Sequence, residues 1–505
     1  LSRGLGDVYK RQEKMNMANK LKINEEKYVT LVEPSLKEAR MRKRNNIEIN
    51  QFLLNSKYLN LGSGKHYMLK TYGCQGNLAD SEKIAGILEL LGFEKARNEL
   101  EADFVLFNTC AIRENAEERV YGELGRFNQF KKRKPDMIIG ICGCMPQEEK
   151  TITTIKKKFP QINIVFGTHN IASLPEYLYD AMMNQKKVID VLSVEGDIYE
   201  NIPMVREHSK KAWVNIMYGC DEFCTYCIVP YTRGKERSRR PKDIIDEVEK
   251  LAQNGYVEVT LLGQNVNAYG KDFTDFNYTF SNLLEDLNQT SIKRIRFTTS
   301  HPRDLDDATI EAMALGGNIM PHLHLPVQSG SNEVLKRMNR KYTKEEYLSK
   351  INKLKKLIPD ISFTTDIIVA FPGETQEQFL QTIELVKEVE FDGAYTFIYS
   401  PREGTPAAKY ENLLTEEEKH QRLETLNKVV NAYALKGHQK YENKIVEVLV
   451  EGPSKNNKNI LTGYTKQNML VNFNDDKERP CQIGDLIQVK ITKAYSWHLF
   501  GEVLK

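Results

Sequence analysis

Between about residues 66 and 192, apolar strand-like runs alternate with helical stretches, and three of those runs stop on a cysteine. The runs are YMLKTYGC, DFVLFNTC, DMIIGICGC and NIVFGT, separated by SEKIAGILELLG, IRENAEERVYGELGRF and EEKTITTIKKKF. This alternation implies an open parallel α/β sheet, because each helix returns the chain to the edge where the last strand began. The carboxyl ends of such strands share one edge, where ligands bind. Topology therefore delivers Cys74, Cys110 and Cys144, about 35 residues apart, to one place. A buried free thiol explains any one of them alone. Three at equivalent strand ends form a metal-site pattern, for which Cys142 competes with Cys144 because spacing does not choose between them.

After a linker (residues 192–210) a second series begins: WVNIMYG, EVTLLGQ, RIRFTTS, HLHLPVQ, SFTTDIIVAF and AYTFIYS, again with helical stretches between. Six β/α units suit a partial (β/α)6 barrel with its site at the C-terminal strand face. Directly after the first of these strands, GCDEFCTYCIVP places Cys220, Cys224 and Cys227 in C-x3-C-x2-C spacing. Three thiolates can hold three irons of a four-iron cluster and leave one iron open to a ligand such as S-adenosylmethionine (SAM). The competing reading is structural zinc, which wants four ligands in paired sets. No fourth Cys or His follows at such spacing, although His208 lies upstream. A helical connector near residues 416–436 leads to short strands, KIVEVLVEG, TGYTKQNMLVNF, DLIQVKITKAY and WHLFGEVL, expected to form a small antiparallel β-barrel.

Composition narrows the class. With 505 residues, 40% hydrophobic and 28% charged, the chain suits about three globular domains. The absence of a run of about 18 apolar residues argues against a membrane span, and no leader pattern is evident, so a cytoplasmic protein is expected. Eight cysteines in that setting read as metal ligands or redox groups. A net charge of +3 neither demands nor excludes nucleic acid. The first 65 residues are polar and basic; positions 1–12 read as a translated junction. The rest reads as a mobile or disordered extension with a helix near residues 35–44. The expected domains are thus 1–65, 66–192, 205–437 and 438–505.

The triplet, with Tyr226 before its last cysteine, resembles the radical-SAM signature. CTYCIVPYTRGKERSRRP, LLGQNVNAYG, LPVQSGSNEVLKRMNRKYT, DIIVAFPGETQEQF and FIYSPREGTPAA resemble the methylthiotransferase family of radical-SAM enzymes. YGCQGN, NTCAIRENAEERVYGELG and GCMPQ resemble that family's N-terminal domain, and the final segment its RNA-binding TRAM module. One departure is Gly76 in GCQGN, where the family pattern has a larger residue.

The resemblance implies two four-iron, four-sulfur (4Fe-4S) clusters, one on Cys220, Cys224 and Cys227 and an auxiliary one on Cys74, Cys110 and Cys144. It implies SAM contacts from Tyr226, Gly263, Gln264, Asn265, Gln328 and Tyr399, and from backbone near Ile368 and Val369. Ser329 and Gly373 are further rim candidates. Arg233, Lys235, Arg237, Arg239 and Arg240 are expected to contact RNA phosphates, although a charge run is usually a solvated face. Tyr464, Tyr495 and Trp497 are the aromatic candidates for RNA in the last domain; they could equally be core. The implied activity is methylthiolation at C2 of N6-isopentenyladenosine at position 37 of tRNA, with SAM as methyl donor and radical source. Sister targets are threonylcarbamoyl-adenosine in tRNA and an aspartate of a ribosomal protein. The anticodon loop, an electron donor such as flavodoxin or ferredoxin, and a monomeric state complete the expectation.

Overall fold

The computed structural model describes residues 28–41, 48–111, 114–206, 210–475 and 480–504. The junction at 1–12, most of MRKRNN and His208 lie outside the described residues. The chain divides into two compact units, residues 1–207 with 228–237, and residues 208–227 with 238–505. The ten residues that follow Cys227 thus belong to the first unit, not to the barrel in which the sequence reading placed them.

The first unit is built on a seven-stranded sheet in the order β1-β8-β7-β6-β5-β3-β4. These strands are β1 (Tyr28–Val32), β3 (His66–Tyr72), β4 (Glu94–Lys95), β5 (Phe104–Thr109), β6 (Ile138–Gly143), β7 (Ile164–Phe166) and β8 (Lys187–Asp190), all parallel. Strands β5 and β6 are buried along their whole length, as a parallel sheet covered on both faces requires. Phe104 and Leu106 pack with Ile84, Ile87 and Leu88 of the helix Gln75–Leu90. Val105 and Phe107 pack with Val120, Leu124 and Phe127 of the helix Glu114–Arg133. A separate parallel pair joins β2 (Ile49–Gln51) to β9 (Ile198–Glu200).

The expectation of an unstructured extension to residue 65 is corrected here. Tyr28–Val32 is an edge strand of the sheet, Leu36–Met41 is a helix and Ile49–Gln51 pairs with β9. The helix Leu36–Met41 lies within the one expected near residues 35–44. The two strands are short and find their partners more than 140 residues away, so local periodicity carries no trace of them.

In the second unit, β10 (Lys211–Asn215), β13 (Glu258–Leu262) and β14 (Arg294–Thr298) form one parallel sheet. Strands β15 (His322–His324), β16 (Ser362–Val369) and β17 (Gly393–Ile398) form another, and the bridge Ile295↔Ile319 links the two. Two-residue strands β11 (Met217–Tyr218) and β12 (Arg237–Ser238) flank the cysteine triplet. The result is the six-strand partial barrel that the alternation implied, with Val214, Leu261, Ile295, Leu323 and Ile367 in its apolar layer. The helix Glu416–Gln439 leads into a closed barrel ordered β18-β19-β20-β22-β21. Its strands are β18 (Ile445–Pro453), β19 (Ile460–Thr465), β20 (Leu470–Asn474), β21 (Leu486–Ala494) and β22 (Leu499–Val503). Closure comes from one parallel pair, β20 with β22, among antiparallel ones.

Buried charges fasten this barrel to the six-strand sheet. The Arg294 Nη1 donates to the Tyr464 carbonyl (2.9 Å), and Arg296 donates to the Thr465 (2.7 Å) and Lys466 (2.9 Å) carbonyls. Glu258 compensates both arginines and Lys211, at 3.9, 2.9 and 3.3 Å respectively. Among the described residues, no helix is long and apolar enough to cross a membrane.

Candidate active site

In the first unit the sheet register brings three cysteines together. Thr109 pairs with Tyr72 on one side and with Gly143 on the other, so Cys110 and Cys144 leave their strands side by side. Cys74 caps the helix that follows β3. The Cys110 thiol hydrogen-bonds both Cys74 and Cys144 and, buried between them, is held far above the usual thiol range. Cys74 is pulled down to about 5, first by its bond with Cys110 and then by the Arg233 charge and the backbone N–H groups of Asn77 and Gly76. Cys144 is lowered to about 7 by the same partners, Cys110 before Arg233. Cys142 sits two strand positions too early, opposite Asn108; its side chain lies in the apolar core with Leu106 and Ile84, where burial raises its thiol.

Local structure explains the placement. Gly143 takes φ +97°, and a Cβ there would lie 2.3 Å from the Thr109 carbonyl oxygen, so only glycine lets the chain turn Cys144 onto the rim. Asn77 Oδ1 accepts from the Cys74 N–H at 3.2 Å, and its amide donates to Asn108 Oδ1 and the Thr109 carbonyl, both at 3.1 Å. The asparagines of the QGN and NTC motifs are thus the scaffold beneath the sulfurs, a role that the sequence reading missed. It missed Asp80 as well, whose Oδ2 accepts from Arg233 Nη2 at 2.9 Å.

In the second unit, Cys220 and Cys224 are buried and Cys227 half-buried at the C-terminal end of the strands. Their loop is pinned throughout. Thr225 donates to the Met338 and Arg337 carbonyls, Ala407 N–H to the Thr225 carbonyl, and Asn339 Nδ2 to the Phe223 carbonyl. Phe223 adopts φ +47°, a left-handed conformation that a bulky residue keeps only when its surroundings impose it. Arg340 donates to Cys224 Sγ at 3.4 Å and to the Pro326 carbonyl at 2.8 Å. Sequence reading did not single out Arg340; it lies in the KRMNRKY stretch, which carries no metal-ligand spacing of its own.

The rim candidates divide. Tyr226, Ile368 and Tyr399 join one apolar cluster with Phe371, Val334 and Met338. Val369 instead turns its side chain into the barrel core and gives its carbonyl to Tyr399 N–H. Gly263 is closely packed, since a Cβ would meet Met217 at 2.7 Å, and Gln264 Oε1 caps the Gly219 N–H. Ser329 is buried against Thr382, and Gly373 (φ +77°) turns the chain after β16. Asn265 Oδ1, Gln328 Oε1 and the Tyr399 hydroxyl are buried with no protein hydrogen-bond partner. Polar atoms left so at the ends of β13, β15 and β17 suit a polar ligand such as SAM.

Three thiols at each strand edge can hold three irons of a four-iron cluster. Among the described residues, three potential ligand atoms come within 4.8 Å of one another at Glu222, His301 and Asp304. That group is an ion-pair network, for Arg303 bonds Glu222 and Asp304, and Lys271 bonds Asp304.

The phosphate role expected of the basic run is corrected for three of its members. Arg233, Arg237 and Arg239 are 6%, 4% and 6% exposed and bond Asp80, the Gly196 carbonyl and Glu247. Guanidinium groups buried on internal acceptors cannot reach RNA. Lys235 is half-buried, and Arg240 lies over Phe273 and Phe276 beside Asp275. In the last barrel Tyr464 sits under Lys211 at the junction, whereas Tyr495 and Trp497 are exposed.

Known proteins match this arrangement part by part. Residues 66–167 match the Uncharacterized protein family UPF0004, 214–386 the Radical SAM superfamily and 439–504 the TRAM domain. The tRNA-2-methylthio-N(6)-dimethylallyladenosine synthase of Bacillus pumilus is 55% identical over 94% of this chain and 92% of its own. Its namesake from Bacillus subtilis is also 55% identical over 94% of this chain and 92% of its own. Among solved structures, a radical S-adenosylmethionine methyltransferase from Kitasatospora setae aligns over 68% of this chain and 74% of its own, at 14% identity and TM-score 0.49. At 55% identity over nearly its whole length, the chain belongs to the family of tRNA-2-methylthio-N6-dimethylallyladenosine synthases, radical-SAM methylthiotransferases that use SAM and 4Fe-4S clusters.

Proposed function

We propose that this chain adds a methylthio group to C2 of N6-isopentenyladenosine at position 37 of tRNA. Cys220, Cys224 and Cys227 hold the cluster that binds SAM, and Cys74, Cys110 and Cys144 hold the auxiliary one. The observation that carries the reading is the pair of three-cysteine sites, each at the C-terminal edge of a parallel sheet, in a chain 55% identical to synthases of this name. When bound, one SAM would supply a methyl group by heterolytic transfer, and a second SAM, given one electron by the radical cluster, would supply the 5′-deoxyadenosyl radical. C2 is neither acidic nor equipped with a leaving group, so polar acid–base chemistry has little purchase there.

The chain's own residues position and exclude. Arg340 orients Cys224, and the Tyr226–Phe371–Tyr399 cluster keeps water from the rim. Asn265, Gln328 and Tyr399 offer polar atoms to the bound cofactor. Exposed Tyr495 and Trp497 offer stacking surfaces to the anticodon loop. The target base must leave its stack to reach the barrel. The chain acts as a cytoplasmic monomer with flavodoxin or ferredoxin as electron donor. The relatives' names do not favour the threonylcarbamoyl-adenosine or ribosomal-protein alternatives.

The test is anaerobic incubation of the reconstituted protein with SAM, a reductant and tRNA bearing N6-isopentenyladenosine. Mass spectrometry of the nucleosides should find the 2-methylthio derivative. Formation of 5′-deoxyadenosine without that product would overturn the substrate assignment and leave the radical chemistry standing.

A further inference from the structure

Arg233 occupies a place that neither cluster ligation nor RNA contact explains. It lies six residues after Cys227 in sequence but belongs to the first unit. There its guanidinium is buried against the thiols of Cys144 and Cys74, with Nη2 anchored on Asp80. Gly76 makes the room: a Cβ at that position would sit 3.5 Å from Cys74 Sγ and 3.6 Å from Arg233 Nη2. Alanine would make ordinary contacts there, and a branched side chain such as leucine would crowd the guanidinium.

We infer that Arg233 is a positioning residue of the auxiliary centre, setting its reduction potential by placing a permanent positive charge and N–H donors beside the ligand sulfurs. The inference rests on Cys74, Cys110 and Cys144 holding that cluster. An arginine keeps its charge at any physiological pH and presents its donors in a fixed fork. A positive charge and hydrogen bonds to ligand sulfurs favour the more negative, reduced state and so raise the potential. Asp80, itself buried, accepts from the guanidinium at 2.9 Å and compensates its charge in the buried site. The chain therefore tunes the auxiliary centre with a residue drawn from the segment that follows the radical-cluster triplet, while the thiolates alone ligate it.

The experiment uses the full chain with Cys220, Cys224 and Cys227 replaced by alanine, so that any cluster bound is the auxiliary one. Iron content and an EPR-monitored redox titration are read on this parent and on three variants. A parent that binds no iron would defeat the cluster reading itself, whatever the variants do. Given a loaded parent, Arg233→Met combined with Asp80→Asn removes the ion pair without stranding a buried charge. It should keep the iron and shift the midpoint to more negative potential. Gly76→Leu keeps every charge and crowds the guanidinium, and should shift it the same way by less. Arg233→Lys, which keeps the charge, should stay closer to the parent. Parent-like midpoints in both the double variant and Gly76→Leu would overturn the inference. So would a double variant that binds no iron, since Arg233 would then build the site and not tune it.

Discussion

Gly143→Ala should empty the auxiliary site while leaving the radical-SAM site loaded. Position 143 has φ +97°, where an alanine costs about 1–2 kcal/mol in backbone strain alone. Its Cβ would lie 2.3 Å from the Thr109 carbonyl oxygen, about 1 Å inside a tolerable carbon–oxygen contact. The strand pair must part, and with it go Cys144 N–H to the Thr109 carbonyl (2.8 Å) and Thr109 Oγ1 to the Cys142 carbonyl (2.7 Å). At about 1 kcal/mol for each hydrogen bond, the sum is about 3–4 kcal/mol, concentrated where Cys144 leaves its strand. Anaerobic reconstitution followed by iron analysis reads the outcome. Iron should fall from about eight per chain toward about four, with 5′-deoxyadenosine formation retained and methylthiolation lost. Full iron together with an unchanged denaturation midpoint would refute the claim that this glycine places Cys144.

Cys224→Ala should abolish 5′-deoxyadenosine, whereas Cys110→Ala should keep it and lose the methylthio product; chromatography of both variants checks the division of labour. Glu258→Gln should lower the urea unfolding free energy by about 3–5 kcal/mol, because it leaves Arg294, Arg296 and Lys211 without their shared anion. Burial alone would raise the Glu258 carboxyl, but Arg296, Lys211 and Arg294 outweigh it and hold it below the usual range. Its contribution is therefore present above about pH 4.3, the unfolded value, and lost as pH falls through the lower folded one. Wild-type stability should fall more steeply than that of Glu258→Gln across that window; parallel curves would count against the network. Trp497→Ala should weaken tRNA binding by about 5- to 100-fold, the worth of one stacked base, without altering stability; unchanged affinity in a filter-binding assay would remove Trp497 from the interface.

Much of the fold was legible because each long element carries its own period. The fully apolar β5 and β6 announce a covered parallel sheet, and their terminal cysteines announce its ligand edge. The six barrel strands were legible for the same reason, as were four runs of the last barrel, one of which, TGYTKQNMLVNF, holds two strands, β19 and β20. Strands β1, β2 and β9 were not, since three to five residues paired across more than 140 positions have no local signature. The basic run misled because charge density in a sequence says nothing of burial. Arg233, Arg237 and Arg239 each have an internal acceptor that only the folded chain supplies. Choosing Cys144 over Cys142 required the family motif, because the turn at Gly143 depends on a clash with Thr109, a residue of the neighbouring strand.

The central claim is that a radical generated at the Cys220, Cys224 and Cys227 site removes the C2 hydrogen of the target adenosine. It is tested most directly with tRNA carrying deuterium at C2 of N6-isopentenyladenosine 37. Mass spectrometry should find one deuterium in the 5′-deoxyadenosine released, in step with methylthio product. Product formed while 5′-deoxyadenosine carries no deuterium would contradict the account.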